Sequence, residues 1–221
     1  DVYKRQFTGS GLALAIDAGN ADDFSLGNEN TLSGERFLVG QAVSSMDLQG
    51  VSFTASGVDT RPVMDVRCDG TCRLTQSAFD GPQVGLSWSG PGTSVMDNVA
   101  VNAVQQAVEA SGSGHADWAN LTVAASERAL TVQTPSSSIA NVAVHLNSDD
   151  GRGIDVLGGE HVWSNITAEK AFVSSDRTSI GLNAWYSHIT VDQMTLRNFS
   201  TCDLMEDSAV MAQSVEANVG S

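Results

Sequence analysis

Large apolar residues recur along this chain inside one short phrase: apolar, gap, polar, apolar, gap, apolar. The phrase reads Leu48-x-Gly50-Val51-x-Phe53, Leu74-x-Gln76-Ser77-x-Phe79, Met96-x-Asn98-Val99-x-Val101 and Trp118-x-Asn120-Leu121-x-Val123. It continues as Ile139-x-Asn141-Val142-x-Val144, Trp163-x-Asn165-Ile166-x-Ala168 and Tyr186-x-His188-Ile189-x-Val191, in steps of 26, 22, 22, 21, 24 and 23 residues. Alternation on either side of the polar residue has the period of two that belongs to strands. The phase breaks at the polar residue itself, with apolar positions at −2, +1 and +3. Two strands therefore meet there at a tight turn. Asparagine, which tolerates the left-handed backbone such a turn needs, fills it four times running.

A third apolar stretch follows each phrase, at Pro62–Arg67, Val84–Trp88, Ala107–Ala110, Ala129–Gln133, Ile154–Leu157 and Ile180–Ala184. Three short strands per repeat predict an all-β, right-handed parallel β-helix, a solenoid of about 7–8 coils of 21–26 residues. Stacked about 4.8 Å apart, Asn98, Asn120, Asn141 and Asn165 form an inward-facing amide ladder in this expectation. The leucine-rich signature and the helical periods of ankyrin and tetratricopeptide repeats are absent. Residues 45–195 carry the regular repeat, 7–44 read as irregular first coils, and 196–221 as a last coil, open to truncation. Residues 1–6 share no pattern with the rest and read as a non-native leader. Gly27–Glu35 reads as a loop.

With the ladder in view, the chain resembles the pectate-lyase-like superfamily of β-helices, across about residues 45–195. The resemblance is specific for fold and not for activity, because that superfamily holds lyases, hydrolases, adhesins and proteins without activity.

Charge narrows the functions. The chain has 26 acidic residues against 11 basic ones, a net charge of −15, and only two lysines, Lys4 and Lys170. Such a surface argues against nucleic acid and against anionic membranes, and no apolar run reaches the about 18 residues of a membrane span. It suits a salty medium or an acidic extracellular protein. Cys68 and Cys72, in Cys-Asp-Gly-Thr-Cys, predict a local disulfide and an oxidising compartment. Extracellular or cell-surface placement follows as an expectation, with neighbouring domains in a longer chain.

Candidate chemistry lies on the third strand. In the resembling enzymes substrate runs along its outer face, which here implies inward Val84, Val108, Leu130, Ile154 and Ile180. Outward residues are then Gly85, Glu109, Thr131, Asp155 and Gly181, followed by Ser87, Ser111, Gln133, Leu157 and Asn183. Glu109 and Asp155, two coils apart, offer an acid and base for a glycosidic bond. Arg128 and Arg152 stand beside them. Asp149 and Asp150, in the loop Asn147–Gly153, offer carboxylates for Ca²⁺ in a lyase-like alternative. Against an enzyme, Gly114-His115-Ala116 precedes Asp149-Asp150, the reverse of the polygalacturonase order, and no Arg-Ile-Lys occurs. His188 reads as a ladder residue, His115 as a turn residue, and His145 and His161 as surface residues. Trp118, Trp163 and Tyr186 read as core, leaving Trp88 and Trp185 as the exposed rings. The sequons at Asn120 and Asn165 fall on ladder positions, which leaves Asn198 as the better glycosylation site. The leading functional expectation is a non-catalytic surface or adhesion module that meets glycans or cell-surface proteins. The alternative is a polysaccharide lyase or glycoside hydrolase acting on acidic glycans.

Overall fold

A computed structural model of the chain describes residues 6–8, 12–17, 24–26, 30–55, 60–171 and 179–219. It is a parallel β-solenoid of about eight turns, and the described residues contain no helix. Strands Thr93–Asn102, His115–Ala125 and Ser136–Leu146 run through the predicted bend. Third strands Val84–Ser89, Gln106–Ser111 and Arg128–Gln133 lie between them in sequence. Each strand pairs in parallel with its equivalents one coil before and after. Gly151–Lys170 and Ser179–Phe199 each continue through a whole coil. Parallel pairing reaches back to Leu12–Asp17 and Gln6–Thr8, so Gln6, assigned to the leader, belongs to a strand. Asn30–Gly34 is a strand paired with Val51–Ala55, not the expected loop, because Asn30 to Gly34 extends the sheet column of Phe53. Residues 27–29 lie outside the described residues.

The core is built from columns. Leu48, Leu74, Met96, Trp118, Ile139 and Trp163 stack in register, all buried. In the N-terminal half Phe37, Phe53 and Phe79 cluster in the core with ring centroids 5.8–6.3 Å apart, a spacing at which aromatic pairs attract beyond their buried area. The indole N–H groups are satisfied inside: Trp118 donates to Ser94 Oγ at 3.1 Å and Trp163 to Ser137 Oγ at 2.8 Å.

The bend behaves as the asparagines imply. Gly50, Gln76, Asn98, Asn120, Asn141 and Asn165 all have φ between 50° and 67°. Asn165 donates to Asn141 Oδ1 at 2.9 Å, Asn141 to Asn120 Oδ1 at 3.1 Å, and Asn120 to Asp97 Oδ1 at 2.7 Å. The ladder thus exists, with two corrections. Its amides are exposed rather than inward, because the flanking −2 and +1 side chains take the core and a bend that curves around them points its middle residue out. Its upper end passes to Asp97, not Asn98.

The seventh repeat was out of phase. Trp163 pairs with Val191 and Ile166 with Met194, so the last step is 28 residues and Gln193 follows Asn165. His188 pairs with Glu160 and is not a ladder residue. Tyr186 lies outside the core column and is 58% exposed.

A second bend joins the third strand to the next coil, and the sequence did not announce it. In two coils it is Ser89-Gly90-Pro91-Gly92 and Ser111-Gly112-Ser113-Gly114. A Cβ on Gly92 would lie 2.3 Å from the Gly70 carbonyl oxygen, and one on Gly114 2.0 Å from that of Gly92. Only glycine lets the coils stack there. From Thr134-Pro135 onward this bend has two residues instead of three, then Gly158-Gly159, Tyr186-Ser187 and Asp207-Ser208. The Cys68–Cys72 disulfide forms at the same corner, both sulfurs buried, and Cys202 is free and buried.

His161, expected on the surface, is buried. Its Nε2–H donates to the Gly158 carbonyl at 2.6 Å, which leaves Nδ1 to accept from Ser137 Oγ at 2.9 Å. Ser137 in turn accepts from Trp163, so one polar chain crosses the core with each member partnered. Burial lowers the imidazole pKa below its ordinary 6.5, with the Gly158 bond and Glu160 opposing.

Candidate functional site

The third strands form one face of the solenoid. Their inward column is Met64, Leu86, Val108, Leu130, Ile154 and Leu182. The expected phase is right in the middle coils and wrong at both ends. Val84 pairs with Gln106 and Ile180 with Arg152, so both leave the inward column, and Gly85 and Gly181 leave the outward one. The true outward column is Asp65, Ser87, Glu109, Thr131, Asp155 and Asn183. The next is Arg67, Ser89, Ser111, Gln133, Leu157 and Trp185.

Register brings a cluster together. Arg128 pairs directly with Arg152, and Thr131, Asp155 and Asn183 occupy three successive coils. Two stacked arginines repel, and Asp155, three residues along, offsets both. Its Oδ2 lies 3.6 Å from Arg128 Nε and its Oδ1 3.4 Å from Arg152 Nη1. Asn183 Nδ2 donates to the same Oδ1 at 2.6 Å, and Trp185 Nε1 donates to Asn183 Oδ1 at 2.8 Å. Asp155 and Asn183 are nearly buried, while about half of each arginine side chain stays in solvent. A pocket of about 220 Å³ opens over them, lined also by Thr131, Gln133, Leu157 and Trp185. Its lining carries two cations and one anion in a chain of net charge −15. In its wall the Thr131 hydroxyl is buried and has no hydrogen-bond partner. A buried polar group left unpaired costs about 1–3 kcal/mol, so a residue that lines the pocket carries an unmet hydrogen bond.

Of the predicted site residues, Asp155, Arg128 and Arg152 converge. Glu109 does not join them: it shares Asp155's column two coils earlier, with Thr131 between, and accepts from Gln106 Nε2 at 2.9 Å. Asp149 meets the ammonium of Lys170, buried in the core, at 3.5 Å, and Asp150 is not free either. Calcium takes six to eight oxygen ligands. Among the described residues no three His, Cys, Asp or Glu side chains converge for a metal, and a carboxylate facing an ammonium does not fit that ion. Asn183 was visible in the sequence but placed one residue pair too far along. The 28-residue step that brings it above Asp155 carries its own phrase, Val191-x-Gln193-Met194-x-Leu196, which the competing match at Tyr186 obscured. Trp88, expected exposed, is buried, and Trp185 is 36% exposed as expected.

Fold and site together define a parallel β-solenoid with a cationic pocket on one face of an acidic shaft. No family model matches the chain, and neither a curated protein nor a solved structure matches it closely enough to indicate kinship. No described helix is long and apolar enough to cross a membrane.

Proposed function

We propose that this protein is a non-catalytic extracellular or cell-surface β-solenoid module that binds glycans over the third-strand face. An acidic group of the ligand sits between Arg128 and Arg152. The observation that carries this reading is the pocket itself: two half-exposed guanidiniums converge beside a buried, unpartnered Thr131 hydroxyl. Guanidinium forks match carboxylate and sulfate oxygens, and the hydroxyl of Thr131, once reached, matches a sugar's own. Both oxygens of Asp155 are engaged by Arg128, Arg152 and Asn183, which favours a positioning role for it over proton transfer to a substrate. The buried disulfide supports an oxidising compartment. Kinship with the pectate-lyase-like superfamily belongs to the same reading and rests on the asparagine ladder.

Calorimetric titration with an acidic tetrasaccharide, tetragalacturonate, and with a neutral tetrasaccharide of like size tests it. Wild-type protein binds the acidic one. Arg152→Ala weakens that binding at least about tenfold, the scale of one lost charge-assisted hydrogen bond. Equal binding of the neutral sugar, or unchanged binding by the variant, overturns the reading. Cleavage of the sugar that Asp155→Asn stops would replace it with the polysaccharide-degrading alternative.

A further inference from the structure

Tyr186 sits where a tyrosine is poorly suited to sit. Its backbone is left-handed, φ 53°, and it is 58% exposed. The coil before it has Gly158 at this place, φ 70°, and the coil after has Asp207, φ 48°. A residue with a Cβ loses about 1–2 kcal/mol in this conformation, asparagine and aspartate less than others, and glycine is exempt. Burial offsets little of that loss, because more than half of the residue is in solvent, and at the equivalent Gly158 a built Cβ meets no atom within 4 Å. The ring next to Tyr186 is fixed: Trp185, 36% exposed, donates its indole N–H to Asn183, which is held by Asp155. Trp185 lines the pocket, and Tyr186 is one residue beyond it. Leu157, 47% exposed, pairs with Trp185 from the preceding coil.

We infer that Trp185 and Tyr186 form an aromatic corner that continues the pocket and carries a second sugar ring of the same glycan. This rests on the glycan-binding reading. The chemistry that fits the corner is a pyranose, with an apolar C–H face to lie on a ring and a hydroxyl rim left in water. The bound chain then runs from the arginine pair along the strand and over the bend. The strain at Tyr186 is retained for binding and not for folding.

Tyr186→Asn tests the inference, because asparagine accepts the left-handed backbone and lacks the ring. Thermal unfolding should show a midpoint equal to or above wild type. Affinity for tetragalacturonate should fall at least fivefold, affinity for the monosaccharide galacturonate should stay unchanged, and Tyr186→Phe should bind as wild type. Tetrasaccharide binding by Tyr186→Asn equal to wild type, with Arg152→Ala still impaired, overturns the corner and leaves the pocket. A marked drop in midpoint also overturns it, since the ring would then be packing. No binding of either sugar by the wild type overturns corner and pocket together.

Discussion

Single residues in this protein answer to which side of the backbone bend they occupy. Thr131 and His161 are the clearest cases. Thr131→Val keeps the shape and deletes a buried hydroxyl that has no partner. Such a change is neutral or stabilising, so the urea midpoint should hold or rise while tetragalacturonate binding weakens. His161 is held neutral by burial, with its folded pKa below the free value of 6.5. The unfolded chain therefore binds its proton first as pH falls. Stability contributed by the neutral ring is complete above about pH 6.5 and is lost as pH drops from there through the folded pKa. Melting from about pH 7.5 down to about pH 5.5 should show a midpoint that falls with pH, and His161→Phe should flatten that slope. A slope unchanged in the variant would assign the effect elsewhere. His161 lies two residues from Trp163 and shares its inward face, so its burial follows once Trp163 is read as core; Thr131 belongs to the outward phase, and its burial could not be read from the sequence. Histidine and threonine fit either face of a strand, and the alternation assigns them only once the phase is known.

At the scale of the element, the ladder bend was legible and the glycine corner was not. The bend announces itself because its two neighbours, at −2 and +1, face the core and are apolar in all but one case, Ser77, so six coils repeat one phrase. The corner has no such flanking constraint, and it shortens from three residues to two between Gly114 and Thr134. The apolar pattern registers that change only as a step of 21 residues after one of 22, without its place in the coil. Tyr186 and His188 imitate the phrase five residues ahead of its true match at Val191-x-Gln193-Met194-x-Leu196, and they keep the step near the others' length. With Ile180 read as inward, Asn183 falls one residue pair away from the column where it meets Asp155. The ladder makes a quantitative claim. Asn141 has φ 54° and bonds to both neighbouring amides. Asn141→Ala should lose about 2–3 kcal/mol in chemical denaturation, from left-handed strain and two lost bonds. Asn141→Gly, which keeps the backbone at ease, should lose distinctly less.

The whole molecule is a stack in which each coil touches only its neighbours, with a charge of −15 spread along it. Self-repulsion of that charge is screened by salt. The thermal midpoint should therefore rise as NaCl goes from about 0.05 M to about 0.5 M; a flat response would show the carboxylates to be locally compensated. The disulfide contributes locally. Its loop is short, so reduction should lower stability by about 2 kcal/mol on the chain-entropy account without unstacking distant coils.

Between the ladder strand and the third strand each coil has a connection of free length: Gly81–Gln83, Ala103–Gln105, Ser126-Glu127, then Asn147–Asp150. The lengthening between Leu146 and Arg152 falls at this seam, the shortening from three residues to two falls at the glycine corner, and the strands between them keep register. The seam opens directly onto Arg128 and Arg152. A longer segment in the Asn147–Asp150 connection, where the chain already carries extra residues, would emerge beside the pocket. The scaffold is thus a natural rack for exchanging what borders its binding face, coil by coil, while the shaft beneath stays as it is.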